Sequence, residues 1–206
     1  AGHELKTPLT IIEADTEVLE MDFGENEWLQ DIQGQTKRLA DLTNALVMLS
    51  RMEEGANSDI KIEFPLSDMV EEVCHTFQAP AKVQGKGLTC TIEPMISMKG
   101  DEKAIRGIVT ILLDNAVKYT NEHGHITVNL EKKKNRIYLS VFNTTEFISK
   151  EQICHLFDRF YRTDVSRNSQ TGGYGLGLSI AAATVESHRG KIFAETEDEK
   201  SLRITV

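Results

Sequence analysis

The hydrophobic positions of this chain change period once, and the change divides it. From residue 3 to residue 53 they recur every three or four residues, the spacing of one helix face. Leu5, Leu9, Ile12, Thr16 and Leu19 share a stripe, joined by Ile11 and Val18. "MDFGENE" (21–27) carries Gly24 and Asn26 and reads as a turn. Trp28, Ile32, Gln35, Leu39, Leu42, Leu46 and Leu49 then alternate four-three spacing, a coiled-coil seam with one polar member, Gln35. The pattern predicts a helical hairpin. A hairpin of this size cannot enclose a core alone, and two of them make a four-helix bundle. A homodimer is therefore expected, in preference to a monomeric hairpin packed on its own second domain.

"EEGANSD" (53–59) loses the period, and residues 54–59 read as a linker. Beyond it, short alternating runs interleave with helical ones. "IKIEF" (60–64) and "LTCTIE" (88–93) predict strands. Residues 67–83 predict a helix with Val70, Val73, Cys74, Phe77 and Ala81 inward. Residues 101–120 predict a second, with Ile105, Ile108, Val109, Leu112, Leu113 and Ala116 inward and Asp101 as its cap. "HITVNLE" (125–131) and "RIYLSVF" (136–142) predict a hairpin. Ser149 and Gln152 are spaced as a capping box for a short helix from Lys150. A glycine-rich loop over 163–177 precedes a helix ending near His188, and "KIFAETE" and "SLRITV" close as a last hairpin. The predicted class is α+β: a helical hairpin over 1–53, then an α/β sandwich over 60–206 with a mixed, largely antiparallel sheet covered by helices.

Composition narrows the function classes. The 206 residues fit one or two domains, with 40% apolar and 27% charged residues as in ordinary globular chains. A net charge of −9 argues against a nucleic-acid partner, because a phosphate footprint needs clustered positive charge. Cys74, Cys90 and Cys154 form no C-x-x-C pair, so neither a zinc site nor a disulfide framework is expected. No apolar run approaches the ~18 residues of a membrane span, and no signal peptide is visible. The first residues already lie inside a helical pattern, so the chain reads as a fragment whose upstream part is absent.

Four stretches carry candidate chemistry. "AGHELKTPLT" (1–10) puts a titratable His3–Glu4 pair at a helix start, with Thr7 one turn on and Pro8 after it. In "LLDNAVKYT" (112–120), Asn115 and Lys118 are helix neighbours. An amide oxygen beside an ammonium suits a magnesium ion bridged to phosphate, since magnesium takes few protein ligands; alone, the pair is a solvated helix face. In "TGGYGLGLSI" (171–180), glycines 172, 173, 175 and 177 run into an apolar helix. Glycines let backbone N–H groups approach an anion that the helix N-terminus also favours. In "LFDRFYR" (156–162), Phe157 and Phe160 are spaced to clamp a loop, and Arg159 and Arg162 to reach phosphate. Taken alone, such aromatics are core and such arginines surface.

In their order and spacing along the chain, "HELKTPL", "LLDNAVKYT", "LFDRFYR" and "GGYGLGL" resemble the H, N, F and second glycine boxes of bacterial two-component sensor histidine kinases, over essentially the whole chain. The resemblance implies a dimerisation and histidine-phosphotransfer hairpin over 1–53. Over 60–206 it implies a Bergerat-type ATP-binding domain, shared with the gyrase, Hsp90 and MutL group. It makes His3 the phosphoacceptor, Glu4 its base and Thr7 the residue that orients water for dephosphorylation. It makes Asn115, Lys118, Tyr119, Asn143, Arg162, Gly173, Gly175, Leu176 and Gly177 nucleotide-binding, and Asn115 the ligand of Mg2+. The implied function is an ATP-dependent protein-histidine kinase passing phosphate to the receiver domain of a response regulator, and also a phosphatase of that regulator. It implies a cytoplasmic core of a sensor anchored in the inner or plasma membrane.

Two departures accompany the resemblance. Where D-x-G-x-G is usual, this chain reads "NTTEF" (143–147), with Asn143 for the adenine-reading aspartate and Thr145 and Phe147 for the glycines. An asparagine still accepts a hydrogen bond, but without charge. Ile111 stands four residues before Asn115, where the hydrolytic relatives carry a catalytic glutamate, which argues against a free-standing ATPase. The altered glycine box is the one feature that favours a nucleotide-independent dimeric pseudokinase scaffold.

Overall fold

The structure, a computed structural model, describes residues 2–24, 26–53, 62–162 and 175–206. It divides into two units, residues 1–56 and 57–206.

The first unit is the predicted hairpin. Helix α1 spans Gly2–Phe23 with Pro8 inside it, and α2 spans Glu27–Glu53. Gly24 takes a left-handed φ of 79° and its N–H closes on Glu20 O at 2.8 Å, which ends α1. Asn26 Oδ1 then accepts the Trp28 N–H at 2.8 Å, which starts α2. Leu9 and Thr16 of α1 and Thr36 and Thr43 of α2 are buried. The threonines are tolerated there because each hydroxyl bonds a carbonyl of its own helix: Thr16 to Ile12 O (2.9 Å), Thr36 to Ile32 O (2.8 Å) and Thr43 to Leu39 O (2.8 Å). Gln33 Nε2 donates to Glu20 Oε2 across the hairpin at 2.9 Å.

Among the described side chains, the inner side of α2 carries Leu29, Gln33, Thr36, Ala40, Thr43 and Val47, one residue beyond the first six positions of the heptad seam. Of the seam, Trp28, Ile32 and Leu39 face out, 71%, 44% and 50% exposed, while Leu42 is half-buried. Ile11, Ile12, Val18 and Leu19 of α1 are exposed as well. Among the described side chains, the hairpin closes on Leu9 and a threonine-bearing stripe and leaves Ile11, Ile12, Val18 and Leu19 of α1 and Trp28, Ile32 and Leu39 of α2 exposed.

In the second unit the elements run β1 (Ile62–Pro65), α3 (Leu66–Val83), β2 (Gly87–Ile92), β3 (Ser97–Gly100) and α4 (Glu102–Tyr119). They continue with β4 (His125–Lys133), β5 (Arg136–Thr144), α5 (Lys150–Cys154), α6 (Gly177–Ser187), β6 (Phe193–Glu195) and β7 (Ser201–Thr205). The main sheet has the order β2-β4-β5-β7-β6, with β2 parallel to β4 and every other pair antiparallel. Ile126, Val128 and Leu130 alternate inward on β4 and pack with Val70 of α3, Val109, Leu112 and Leu113 of α4 and Ala181 of α6. Strand β1 is not part of this sheet. Among the described residues it pairs only with β3, Ile62 opposite Gly100, and β3 is an element the pattern of "SMKG" does not announce.

The caps follow the sequence. Asp101 Oδ1 accepts the Ala104 N–H at 3.1 Å, and Ser149 and Gln152 form a reciprocal capping box. The Cys74 and Cys90 thiols hydrogen-bond between α3 and β2. That bond, with burial, pushes the Cys74 thiol well above its ordinary value. All three cysteines are free.

Candidate nucleotide site

Helix α4 is buried along Ile105, Ile108, Val109, Leu112, Leu113 and Ala116, which turns the flank carrying Asn115, Lys118 and Tyr119 toward a cavity of about 480 Å³. Its volume is within the usual range for small-molecule sites. Strand β5 contributes Asn143 at its end, and the loop after it contributes Thr145, Glu146, Phe147 and Ile148. Tyr161, Arg162, Gly175 and Gly177 close another side.

Asn115 Nδ2 donates to Ile111 O at 2.8 Å, so the amide is oriented by its own helix. Gly177 opens α6 directly against it: a methyl at Gly177 would lie 3.6 Å from Asn115 Nδ2 and 3.4 Å from Ile111 Cγ2. The N-terminal end of an eleven-residue helix, with its unpaired N–H groups, therefore meets the amide of α4 at the cavity wall. Leu176, immediately before, is buried and serves as the N-cap position. Lys118 Nζ pairs with Asp114 Oδ2 at 2.6 Å. Sequence reasoning passed over Asp114, although its i, i+4 spacing to Lys118 was a readable signal. At the last turn of α4, Lys86 Nζ donates to Val117 O, and burial lowers the pKa of that ammonium.

Asn143 is 4% exposed, and its Nδ2 donates to Thr144 O at 3.1 Å. The carbamoyl is thereby turned so that Oδ1 is its available acceptor. Thr144 is fixed in turn, its hydroxyl donating to Asn121 Oδ1 (2.7 Å) and accepting the His125 N–H (3.0 Å). Gly124 lies under this knot, where a methyl would sit 2.4 Å from Thr144 Oγ1 and 2.5 Å from Asn121 Oδ1. The turn from α4 to β4 and the end of β5 thus hold each other in place.

The stretch "LFDRFYR" behaves unlike a pair of buried aromatics. Phe157 packs on the core, while Phe160 is 57% exposed in a left-handed conformation, φ 63°. Its N–H donates to Gly175 O at 3.0 Å, and Gly175 itself has φ 70°. A methyl at Gly175 would lie 2.5 Å from Tyr161 O, so only glycine fits. His155 Nδ1 lies 2.7 Å from Asp158 Oδ2 and its ring stacks at a tilt on Tyr161, 5.5 Å between centroids.

Of the residues singled out from the sequence, Asn115, Lys118, Tyr119, Asn143, Arg162, Gly175 and Gly177 line this one cavity, with Leu176 beside it. Gly173, the segment 163–174 and the linker 54–59 lie outside the described residues. His3 and Glu4 fall in the first turn of α1, and Thr7 is exposed on the same helix, all in the other unit.

The signature described as "Histidine kinase-, DNA gyrase B-, and HSP90-like ATPase" matches residues 100–206. That of the "His Kinase A (phospho-acceptor) domain" matches residues 1–55. The chain belongs to the histidine kinase-, DNA gyrase B- and HSP90-like ATPase family, in the arrangement of a sensor histidine kinase catalytic core. Among similar proteins, the sensor protein DltS of Streptococcus agalactiae is 36% identical over all of this chain and 52% of its own length. The sensor histidine kinase YkoH of Bacillus subtilis is 34% identical over all of this chain and 45% of its own length. The chain thus spans about half the length of the curated relatives it matches. The crystal structure of full-length ShkA in complex with AMPPNP superposes with a TM-score of 0.81 over 99% of this chain and 43% of ShkA, at 22% identity, which establishes the shared fold. Among the described residues no helix is long and apolar enough to cross a membrane.

Proposed function

We propose that the chain is the core of an ATP-dependent protein-histidine kinase. The observation that carries this reading is the convergence of Asn115, Lys118, Asn143, Gly175 and Gly177 on one cavity at the N-terminal end of α6. The apolar floor takes the base, Asn143 Oδ1 accepts from the adenine amino group, and the start of α6 receives the phosphates. The donor set fits magnesium: Asn115 spends its Nδ2 on Ile111 O, which leaves Oδ1 as a neutral oxygen ligand. Bound there beside the phosphates, the ion would neutralise charge on the γ-phosphoryl oxygens.

In the reaction, an imidazole nitrogen of His3 attacks the γ-phosphorus, the bond to the β,γ-bridging oxygen breaks and ADP leaves. The ring proton passes to Glu4. The phosphoryl group then moves to an aspartate of a response-regulator receiver domain, and Thr7 orients water when the same hairpin dephosphorylates that partner. Two hairpins pair through their exposed apolar stripes to form the working homodimer. The complete protein is a membrane-anchored sensor whose core acts in the cytoplasm. The altered glycine box at 143–147 remains the one feature on the side of the pseudokinase scaffold, and the convergence on the cavity opposes it.

The test is incubation with magnesium and ATP labelled on the γ-phosphate. Acid-labile, base-stable label is expected on the protein, and its loss in His3→Ala with ATP binding unchanged. Label persisting on His3→Ala would remove His3 as acceptor, and no label on the unsubstituted chain would remove the kinase.

A further inference from the structure

Phe147 stands where the resemblance calls for the last glycine of D-x-G-x-G, and it lines the cavity while 55% exposed. Single exposed apolar residues are ordinary, so exposure alone assigns nothing; the backbone around this one does. The Thr145 N–H donates to Lys200 O and the Ile148 N–H to Glu199 O, each at 2.8 Å. Ile148 is buried at 6% exposure. The turn that receives these bonds is fixed in its own right. The Asp198 carboxylate accepts from Ser201 Oγ (2.6 Å) and from the Lys200 N–H (3.0 Å), and the hydroxyl first, then the amide, hold its pKa below the usual range. Both sides of Phe147 are therefore tied to the β6–β7 turn, and the ring is presented from an anchored segment. A backbone anchored before binding leaves only the side-chain rotamer to be fixed when a ligand covers the ring.

The same cavity is lined by Asn143, buried and with an available acceptor, and has an apolar floor including Leu112 and Val141. A hydrogen-bonding group for the edge and an aromatic for the face are the two elements that recognise a flat heteroaromatic base. We infer that Phe147 is a nucleobase-binding residue whose ring stacks on the base that Asn143 reads along its edge. The inference rests on the nucleotide reading above and deepens it. Stacking is tolerant of base identity because every base has a π-face. Phe147 therefore supplies affinity for purines in general, and Asn143 supplies the choice between adenine and guanine.

Calorimetry of the 206-residue chain with ADP, GDP and inorganic tripolyphosphate tests this. Phe147→Ala is expected to weaken ADP and GDP alike, by about tenfold, and to leave tripolyphosphate unchanged; Phe147→Tyr is expected to bind all three as the unsubstituted chain does. Equal ADP affinity in Phe147→Ala would overturn the assignment, as would a matching loss for tripolyphosphate, which marks a collapsed pocket rather than a lost stack. Failure of the unsubstituted chain to bind ADP would instead overturn the nucleotide reading itself, and this inference with it.

Discussion

Asn143 carries two opposed demands on one side chain. Its oxygen is offered to the cavity, and its nitrogen holds Thr144 O at 3.1 Å. An aspartate in its place is the better acceptor for adenine but cannot donate to that carbonyl. Asn143→Asp should therefore bind ATP more tightly, by about fivefold, for a difference near 1 kcal/mol. The same substitution should lower the melting temperature by about 2–4 °C for each kcal/mol the lost bond costs. Asn143→Ala should weaken ATP without a matching change for GTP, because guanine presents a carbonyl where adenine presents its amino group. Calorimetry with both nucleotides, beside a thermal melt, checks all three; identical ATP affinities would show that Asn143 does not read the base. The candidate identity of Asn143 was legible from its place in "NTTEF". The bond to Thr144 was not, because nothing in local sequence says that the amide turns back on its own strand.

Between elements, Gly175 and Phe160 form a joint in which both backbones are left-handed and linked by one hydrogen bond. Gly175→Ala places a methyl 2.5 Å from Tyr161 O and adds the left-handed penalty of about 1–2 kcal/mol. The expected outcome is lower stability in urea together with ATP affinity reduced by about tenfold or more. Gly34→Ala is the contrasting case, since Gly34 is exposed within α2 and its added methyl meets nothing within 4 Å. It should stabilise the hairpin by up to about 1 kcal/mol through helix propensity. If both substitutions shift stability alike, the joint at Gly175 is not a constraint. Glycine-rich loops announce themselves in sequence, but which glycine is irreplaceable depends on what stands opposite it. Here that is the Tyr161 carbonyl. The capping box at Ser149 was readable for the converse reason: both of its partners lie within four residues.

At the scale of the whole molecule, the exposed stripes of the hairpin should decide association. Trp28 is the sole tryptophan and is 71% exposed in one chain. Its emission is expected to shift to the blue as concentration rises and a second hairpin covers it. Ile32→Glu with Leu39→Glu should give a monomer by sedimentation and abolish that shift, while ATP binding to residues 57–206 stays as it was. A dimer that survives the double substitution would place the interface elsewhere.

Sequence by itself determined what rests on near neighbours. The change of period at residue 53, the helix caps, the antiparallel hairpins and the box residues that share a helix turn were all set within a few positions of one another. Tertiary structure decided what rests on distant ones. It chose which of two adjacent stripes of α2 faces α1, and it paired β1 with β3 outside the main sheet. It brought Asn115, Asn143 and Gly177 to one cavity, with Thr145 and Ile148 tied to the β6–β7 turn. The physical reason is range. Periodicity and capping are settled by interactions within one or two turns, whereas a cavity is the space left when elements far apart in sequence bury their apolar faces against one another.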